Sequence, residues 1–132
     1  MDYKPSTKDS LRSAAYRAVS YRPLTAKELR IKLQKRKDAD HDRIEVIIQE
    51  LLKDRYIDET SIAEDVIRRG KEVKLLARRL LQRDLMRRGI PQETIDTVLN
   101  EKYPESDESD VATMLALKKL RSKIGAKHWS VL

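Results

Sequence analysis

The sequence predicts an all-α protein of tandem three-helix, helix-turn-helix-like repeats in an elongated arrangement, with the third repeat incomplete. Three observations carry this prediction. The chain is rich in charge and poor in strand formers: of its 132 residues 39% are charged, three are glycine and none is phenylalanine, a balance that favours solvated helices over sheets. The phrase "YIDETSIAEDVIRR" from Tyr56 to Arg69 is echoed by "DESDVATMLALKK" from Asp107 to Lys119. Setting Asp58-Glu59 on Asp107-Glu108 puts Ala63 on Ala112, 49 positions on, and a step of 49 back from Ala63 reaches Ala14 in "SLRSAAYRAV". Finally, apolar residues recur at helical spacing in segment after segment, each with its own stop signal. Self-similarity at such a period marks stacked units too small to bury their apolar faces alone.

Residues 1–8 read as an N-terminal tail and residues 9–56 as the first repeat. A first helix is expected from Asp9 to Ser20, with Leu11, Ala15, Ala18 and Val19 on one face. It halts before "YRPL", where Pro23 disfavours helical geometry at Arg22. The second helix opens at "LTAKEL": Thr25 and Glu28 have capping-box spacing, and Leu24 with Leu29 can form the hydrophobic staple. A third helix follows Asp40 or Asp42, with Ile44, Ile47, Ile48 and Leu51 on one face.

The second repeat, residues 57–103, follows the same plan. Asp58 can cap a helix whose Ile62, Ala63, Val66 and Ile67 face inward and which ends near Gly70. A long arginine-rich helix comes next, its apolar face continued by Leu80, Leu81 and Leu85 until Gly89. Pro91 then sits at the first turn of a helix carrying Ile95, Val98 and Leu99. Residues 104–132 form a partial third repeat and C-terminal tail. This segment is acidic at its start and basic at its end, as the helix macrodipole prefers, and apolar surface is expected around Leu117, Leu120 and Ile124.

Several function classes are poorly supplied. The absence of cysteine excludes a disulfide framework and fits a reducing cytoplasm. No apolar stretch approaches the roughly 20 residues of a membrane helix, and "MDYKPSTKDS" lacks an apolar signal core. The chain therefore reads as a cytoplasmic protein. His41 and His128 are the only histidines, and Gly70, Gly89 and Gly125 are too scattered for a phosphate loop. Asp58-Glu59 and Asp107-Glu108 stand at helix starts, where capping explains them better than acid–base chemistry. Neither an enzyme activity nor a cofactor is expected. Tyr56 and Tyr103, each following the third helix of its unit, are expected in packing between units. Trp129 reads as exposed or as a cover for apolar surface.

The charge has an address. Between Arg68 and Arg88 lie nine basic residues (Arg68, Arg69, Lys71, Lys74, Arg78, Arg79, Arg83, Arg87 and Arg88) against Glu72 and Asp84. Nine less two gives +7, the formal net charge of the whole chain. Arg79, Arg83 and Arg87 stand four apart, about 200° around the axis from Ala77, Leu81 and Leu85. Phosphate backbones and acidic protein grooves both reward such a stripe; a solvated helix face is the plain alternative.

The residues also resemble a family. "RPLTAKELRIKL" is similar to the start of the second helix in the RecX family of recombination regulators, "YIDETSIAE" to its Tyr-Leu-Asp-Asp-x-x-Phe-Ala motif, and "LLQRDLMRRGIPQETIDTVL" to its second-repeat Leu-x-x-x-Gly-Ile pattern. Ile62 stands where the family usually has Phe. The resemblance covers roughly residues 12 to 120, and the family usually has three three-helix repeats, so the third is expected to lack its last two helices. It implies a regulator that binds the RecA recombinase filament on single-stranded DNA and inhibits strand exchange and ATP hydrolysis. The incomplete third repeat adds an expectation of self-association. A basic helix-turn-helix protein that binds DNA directly is the alternative; against it, the third helix "DRIEVIIQELLKD" is acidic and apolar rather than base-reading.

Overall fold

The computed structural model describes the backbone of residues 7–131 and the side chains of residues 10–124. The expectations for Trp129 and His128 lie outside the described side chains. Helices α1 (Thr7–Tyr21), α2 (Ala26–Gln34) and α3 (His41–Lys53) form one bundle, and α4 (Glu59–Glu72), α5 (Arg78–Arg87) and α6 (Gln92–Lys102) a second. A 3₁₀ turn, Glu105–Asp107, leads into α7 (Glu108–Val131). Among the described residues there is no strand.

Local chemistry sets the helix starts. Thr25 accepts the Glu28 N–H at 3.1 Å while the Glu28 carboxylate accepts the Thr25 N–H at 2.9 Å, closing the capping box. Asp40 caps α3 by accepting the Asp42 N–H, and Asp58 caps α4 by accepting both the N–H and the hydroxyl of Ser61. The end of α3 is a Schellman turn: Arg55 takes the left-handed position at φ 61°, and the Tyr56 N–H returns to the Leu51 carbonyl. The end of α5 repeats this geometry with Gly89 at φ 90° and the Ile90 N–H on the Leu85 carbonyl.

Two separate cores result. Leu11, Ala15, Leu29, Leu33, Ile48 and Leu51 meet in the first, closed by Leu24 and Ile57. Ile67, Leu85, Ile95, Val98 and Tyr103 build the second, which also takes Val111 from α7.

Several expectations are corrected. The first helix runs slightly wider than Asp9 to Ser20. Gly70 does not end α4 but lies buried within it, because a Cβ there would stand 2.1 Å from Leu81 Cδ2. The glycine marks close helix approach rather than a stop. The arginine-rich helix is short, ten residues, because residues 73–77 form a loop with Leu75 at φ 56°. Leu80 accordingly lies 42% exposed, outside the apolar face, and Ala77 is the exposed N-cap. Tyr103 packs inside its own unit, its hydroxyl donating to the Leu76 carbonyl at 2.9 Å. Tyr56 sets its ring edge-on to Tyr16 of the same unit at 5.0 Å. Asp107 lies in the 3₁₀ turn and holds a lysine of α4, unlike its echo Asp58.

Arg55 is exposed and pays for a left-handed backbone. Arg55→Gly removes that strain and is expected to stabilise the protein by about 0.5–1 kcal/mol. Thermal denaturation followed by circular dichroism checks it; an unchanged or lower melting temperature contradicts it.

Candidate basic interface

The nine basic side chains of the Arg68–Arg88 segment fall into three groups. Three are engaged in holding the fold. The Arg88 guanidinium reaches back to the first bundle, its Nε and Nη2 donating to the two Glu28 carboxylate oxygens at 3.1 Å each. The Arg88 carbonyl accepts the Thr25 hydroxyl at 2.6 Å, and the Arg87 carbonyl accepts Lys27 Nζ at 3.2 Å. Arg78 is only 15% exposed: it donates to the Tyr103 carbonyl and to Asn100 Oδ1 and faces Glu105 and Glu108. Lys71 pairs with Asp107 at 2.6 Å, donates to the Lys102 carbonyl and lies 5.3 Å over the Tyr103 ring. These contacts tie α4 and α5 to the segment that launches α7.

Three more are paired within their own helix yet remain open to solvent. Arg68 and Arg69 share Asp65, at 2.7 and 3.4 Å. Arg87 meets Asp84 at 2.6 Å with its side chain 74% exposed. Pairs of this kind, three or four residues apart on a surface, contribute only a few tenths of a kcal/mol and are readily exchanged for another anion. The last three, Lys74, Arg79 and Arg83, are exposed and form no salt bridge among the described residues.

Geometry draws part of this set together. The Gly70–Leu81 contact lets α5 approach α4 closely, and a cleft of about 570 Å³ runs over it. Arg69, Lys74, Arg83, Arg87 and Arg88 line it, with Asp65 and Asp84 as its acids. Its apolar floor is Val66, Leu76, Leu80 and Leu81. Arg79 is not among its lining residues, and Lys71, Arg78 and Arg68 lie elsewhere. The arrangement offers fixed and adaptable cations over an apolar floor, a surface suited to a phosphate chain or a carboxylate-bearing loop. Among the described residues no group of three or more His, Asp or Glu is placed to hold a metal ion, and no helix is long and apolar enough to cross a membrane.

Sequence reasoning missed a second cleft, of about 460 Å³, at the junction of the bundles. Val19, Pro23, Leu24, Ile62 and Val66 give it a largely apolar wall. No local pattern marks it, because its walls come from the end of α1, the chain entering α2 and α4.

Two predictions follow from the sorting of charge. Arg88→Ala leaves Glu28 half-buried without its partner and is expected to cost about 1–3 kcal/mol, whereas Arg79→Ala and Arg83→Ala should each stay within about 0.5 kcal/mol of the parent. Chemical denaturation separates these outcomes. The second concerns acid. Burial acts to raise the Glu28 pKa, but the Arg88 hydrogen bonds, the Thr25 N–H and the charges of Arg88 and Arg22 outweigh it and hold the carboxylate below its ordinary range. A depressed folded pKa gives stability that is full above the unfolded value of about 4.3 and is lost as pH falls through the folded one. Glu28→Gln should therefore be less stable than the parent at neutral pH, with the gap closing in acid. Melting temperatures measured down the pH scale test this, and a gap that persists in acid contradicts it.

The chain is 31% identical over 110 residues to the regulatory protein RecX of Oceanobacillus iheyensis, covering 83% of this chain and 40% of that protein. It is 31% identical over 102 residues to RecX of Trichlorobacter lovleyi, covering 77% and 66%. With RecX of Bacillus cytotoxicus the figures are 34% over 104 residues, 79% and 38%. The chain thus spans about 40% of the length of the first of these relatives. The crystal structure of RecX from Lactobacillus salivarius superposes with a TM-score of 0.77 over 91% of this chain and 76% of that one, at 23% identity, a likeness of fold. No protein-family model matches the chain. The shared helical repeat and the similarity along most of this chain lead to one conclusion: the chain belongs to the RecX family of regulatory proteins.

Proposed function

We propose that this protein regulates the RecA recombinase by binding its filament on single-stranded DNA and inhibiting strand exchange and ATP hydrolysis, with the α4–α5 surface as its contact. Family membership supports the regulatory role, and one observation carries the contact. Lys74, Arg79 and Arg83 stand exposed on or beside the α4–α5 cleft with no salt bridge among the described residues, and Arg87 is exposed with only a surface pair to Asp84, while Lys71, Arg78 and Arg88 are anchored within the chain. A filament on DNA offers phosphates and acidic side chains in a repeating groove, and guanidinium groups bind both in bidentate fashion. The reading calls on no catalytic residue.

A direct DNA-binding role through α3 finds little support. Two acids of that helix are already used within the bundle, Glu45 by Arg30 and Glu50 by Arg12, and a base-reading set is not assembled there.

The test is titration of the protein into RecA hydrolysing ATP on single-stranded DNA. Hydrolysis is expected to fall as the protein reaches stoichiometry. An undiminished rate at excess refutes the reading, and binding to naked single-stranded DNA with hydrolysis unchanged would favour the direct-binding alternative. The contact surface is tested by Arg79→Glu, Arg83→Glu and Arg87→Glu together. Their side chains lie outside the core, so the far-ultraviolet circular dichroism spectrum should match the parent. Affinity for filaments and for single-stranded DNA should be mostly lost. If all three met phosphate, neutralising them would flatten the slope of log K against log salt by about 2. Full affinity in a folded triple variant would place the contact elsewhere.

A further inference from the structure

Helix α7 leaves the second bundle soon after it begins. Val111 is 7% exposed and joins the second core, but Met114, Leu117, Leu120 and Ile124 are 56, 44, 53 and 58% exposed. Their spacing places all four within about 120° of the helix circumference. They form an apolar stripe with no cover among the described residues.

The charges beside the stripe indicate what covers it. Glu108 and Asp110 stand in the first turn, and Lys118, Lys119, Arg121 and Lys123 follow the midpoint of the stripe. Asp110 and Arg121 are eleven positions apart, which leaves them about 20° from one another around the axis. Both lie within the arc of the stripe, between Met114 and Leu117, on its Met114 half. When two copies of such a helix pair in parallel, acidic turn meets acidic turn and basic end meets basic end. When they pair antiparallel about a two-fold axis, matching halves of the stripe meet in opposite directions, so that Asp110 of each copy faces Arg121 of the other. The helix macrodipoles also oppose favourably in that arrangement.

We propose that the α7 face is an interface for a second copy of this chain, forming an antiparallel two-fold pair of α7 helices. With the axis near Leu117, Leu117 meets its own symmetry mate and Met114 lies level with the partner's Leu120 along the helix axis, on the other side of the seam. Asp110 comes within about one helical turn of the partner's Arg121, inside the reach of the arginine side chain. The interface is isologous, so each charge pair occurs twice. One helix face offers less than the roughly 800 Å² per partner of stable interfaces, so the dimer is reversible and its population rises with concentration. This proposal stands apart from the RecA reading and survives its failure.

Sedimentation equilibrium of the full chain, from low micromolar to submillimolar concentration, tests it. The expected result is a monomer–dimer equilibrium. Leu117→Glu with Leu120→Glu should abolish it while leaving the circular dichroism spectrum unchanged, since both side chains are exposed. Asp110→Arg should weaken dimerisation several-fold, and Asp110→Arg with Arg121→Asp should restore it. A parent chain that stays monomeric throughout, whether its face remains bare or takes a lipid surface or another protein instead, overturns the proposal. So does a dimer that tolerates the double glutamate variant. A dimer that Asp110→Arg leaves intact overturns the antiparallel register.

Discussion

Thr25 is the one fully buried side chain among the described residues that is neither aliphatic nor aromatic, and its hydroxyl serves two purposes at once. It accepts the Glu28 N–H, starting α2, and donates to the Arg88 carbonyl at the end of α5. The Glu28 carboxylate is likewise shared between the Thr25 N–H and the Arg88 guanidinium. A helix cap has thus become the joint between two bundles that otherwise keep separate cores. The joint is polar and small, so its geometry depends on directed hydrogen bonds more than on apolar area. It is also tight. A Cβ at Gly89 would come 2.5 Å from the Lys27 Cβ, and the backbone there is at φ 90°, which makes glycine the residue that fits both the turn and the contact.

This joint decides how the charge is displayed. With its C-terminal end bound to α2 and its start held by Arg78 on the Tyr103 carbonyl, α5 is anchored at both ends. Leu81 and Leu85 are buried, and Arg79, Arg83 and Arg87, each two positions from one of them, point outward. The chain's excess positive charge is therefore unevenly available. Cations at the ends of α5 hold the architecture, and those along its middle face solvent. A segment carrying +7 by composition presents a smaller effective charge, because Arg78, Arg88 and Lys71 have their anions within the chain.

Which features were legible in the sequence follows from the range of the forces involved. The caps at Thr25, Asp40 and Asp58 were readable because capping joins residues two or three apart. The core faces of α3 and α6 were readable because burial imposes a period. Arg88 was read as a candidate contact because its role depends on Glu28, 60 positions away, and nothing in the local pattern reports such a partner. Gly70 was read as a stop for the same reason: its meaning comes from Leu81, which only the packing of α5 brings near. The apolar cleft at the junction of the bundles was invisible, since neither wall is unusual by itself.

The echo that revealed the repeat also shows where repetition ends. Asp58-Glu59 and Asp107-Glu108 occupy matching places in the sequence, and both precede a helix. Asp58 turns inward on Ser61, two hydrogen bonds holding its carboxylate below the ordinary aspartate range, and its helix buries Ile62, Ala63 and Ile67. Asp107 instead turns back to Lys71, and its helix buries only Val111 among the described side chains. The difference follows from the neighbours. Helix α4 has α5 and α6 to pack on, whereas α7 is held at its base by Lys71 and Arg78 and then runs free of the second core. The same local code therefore yields a bundle helix in one place and an open apolar stripe in the other. Capping and periodicity specify that a helix forms, but the residues it buries depend on the helices beside it.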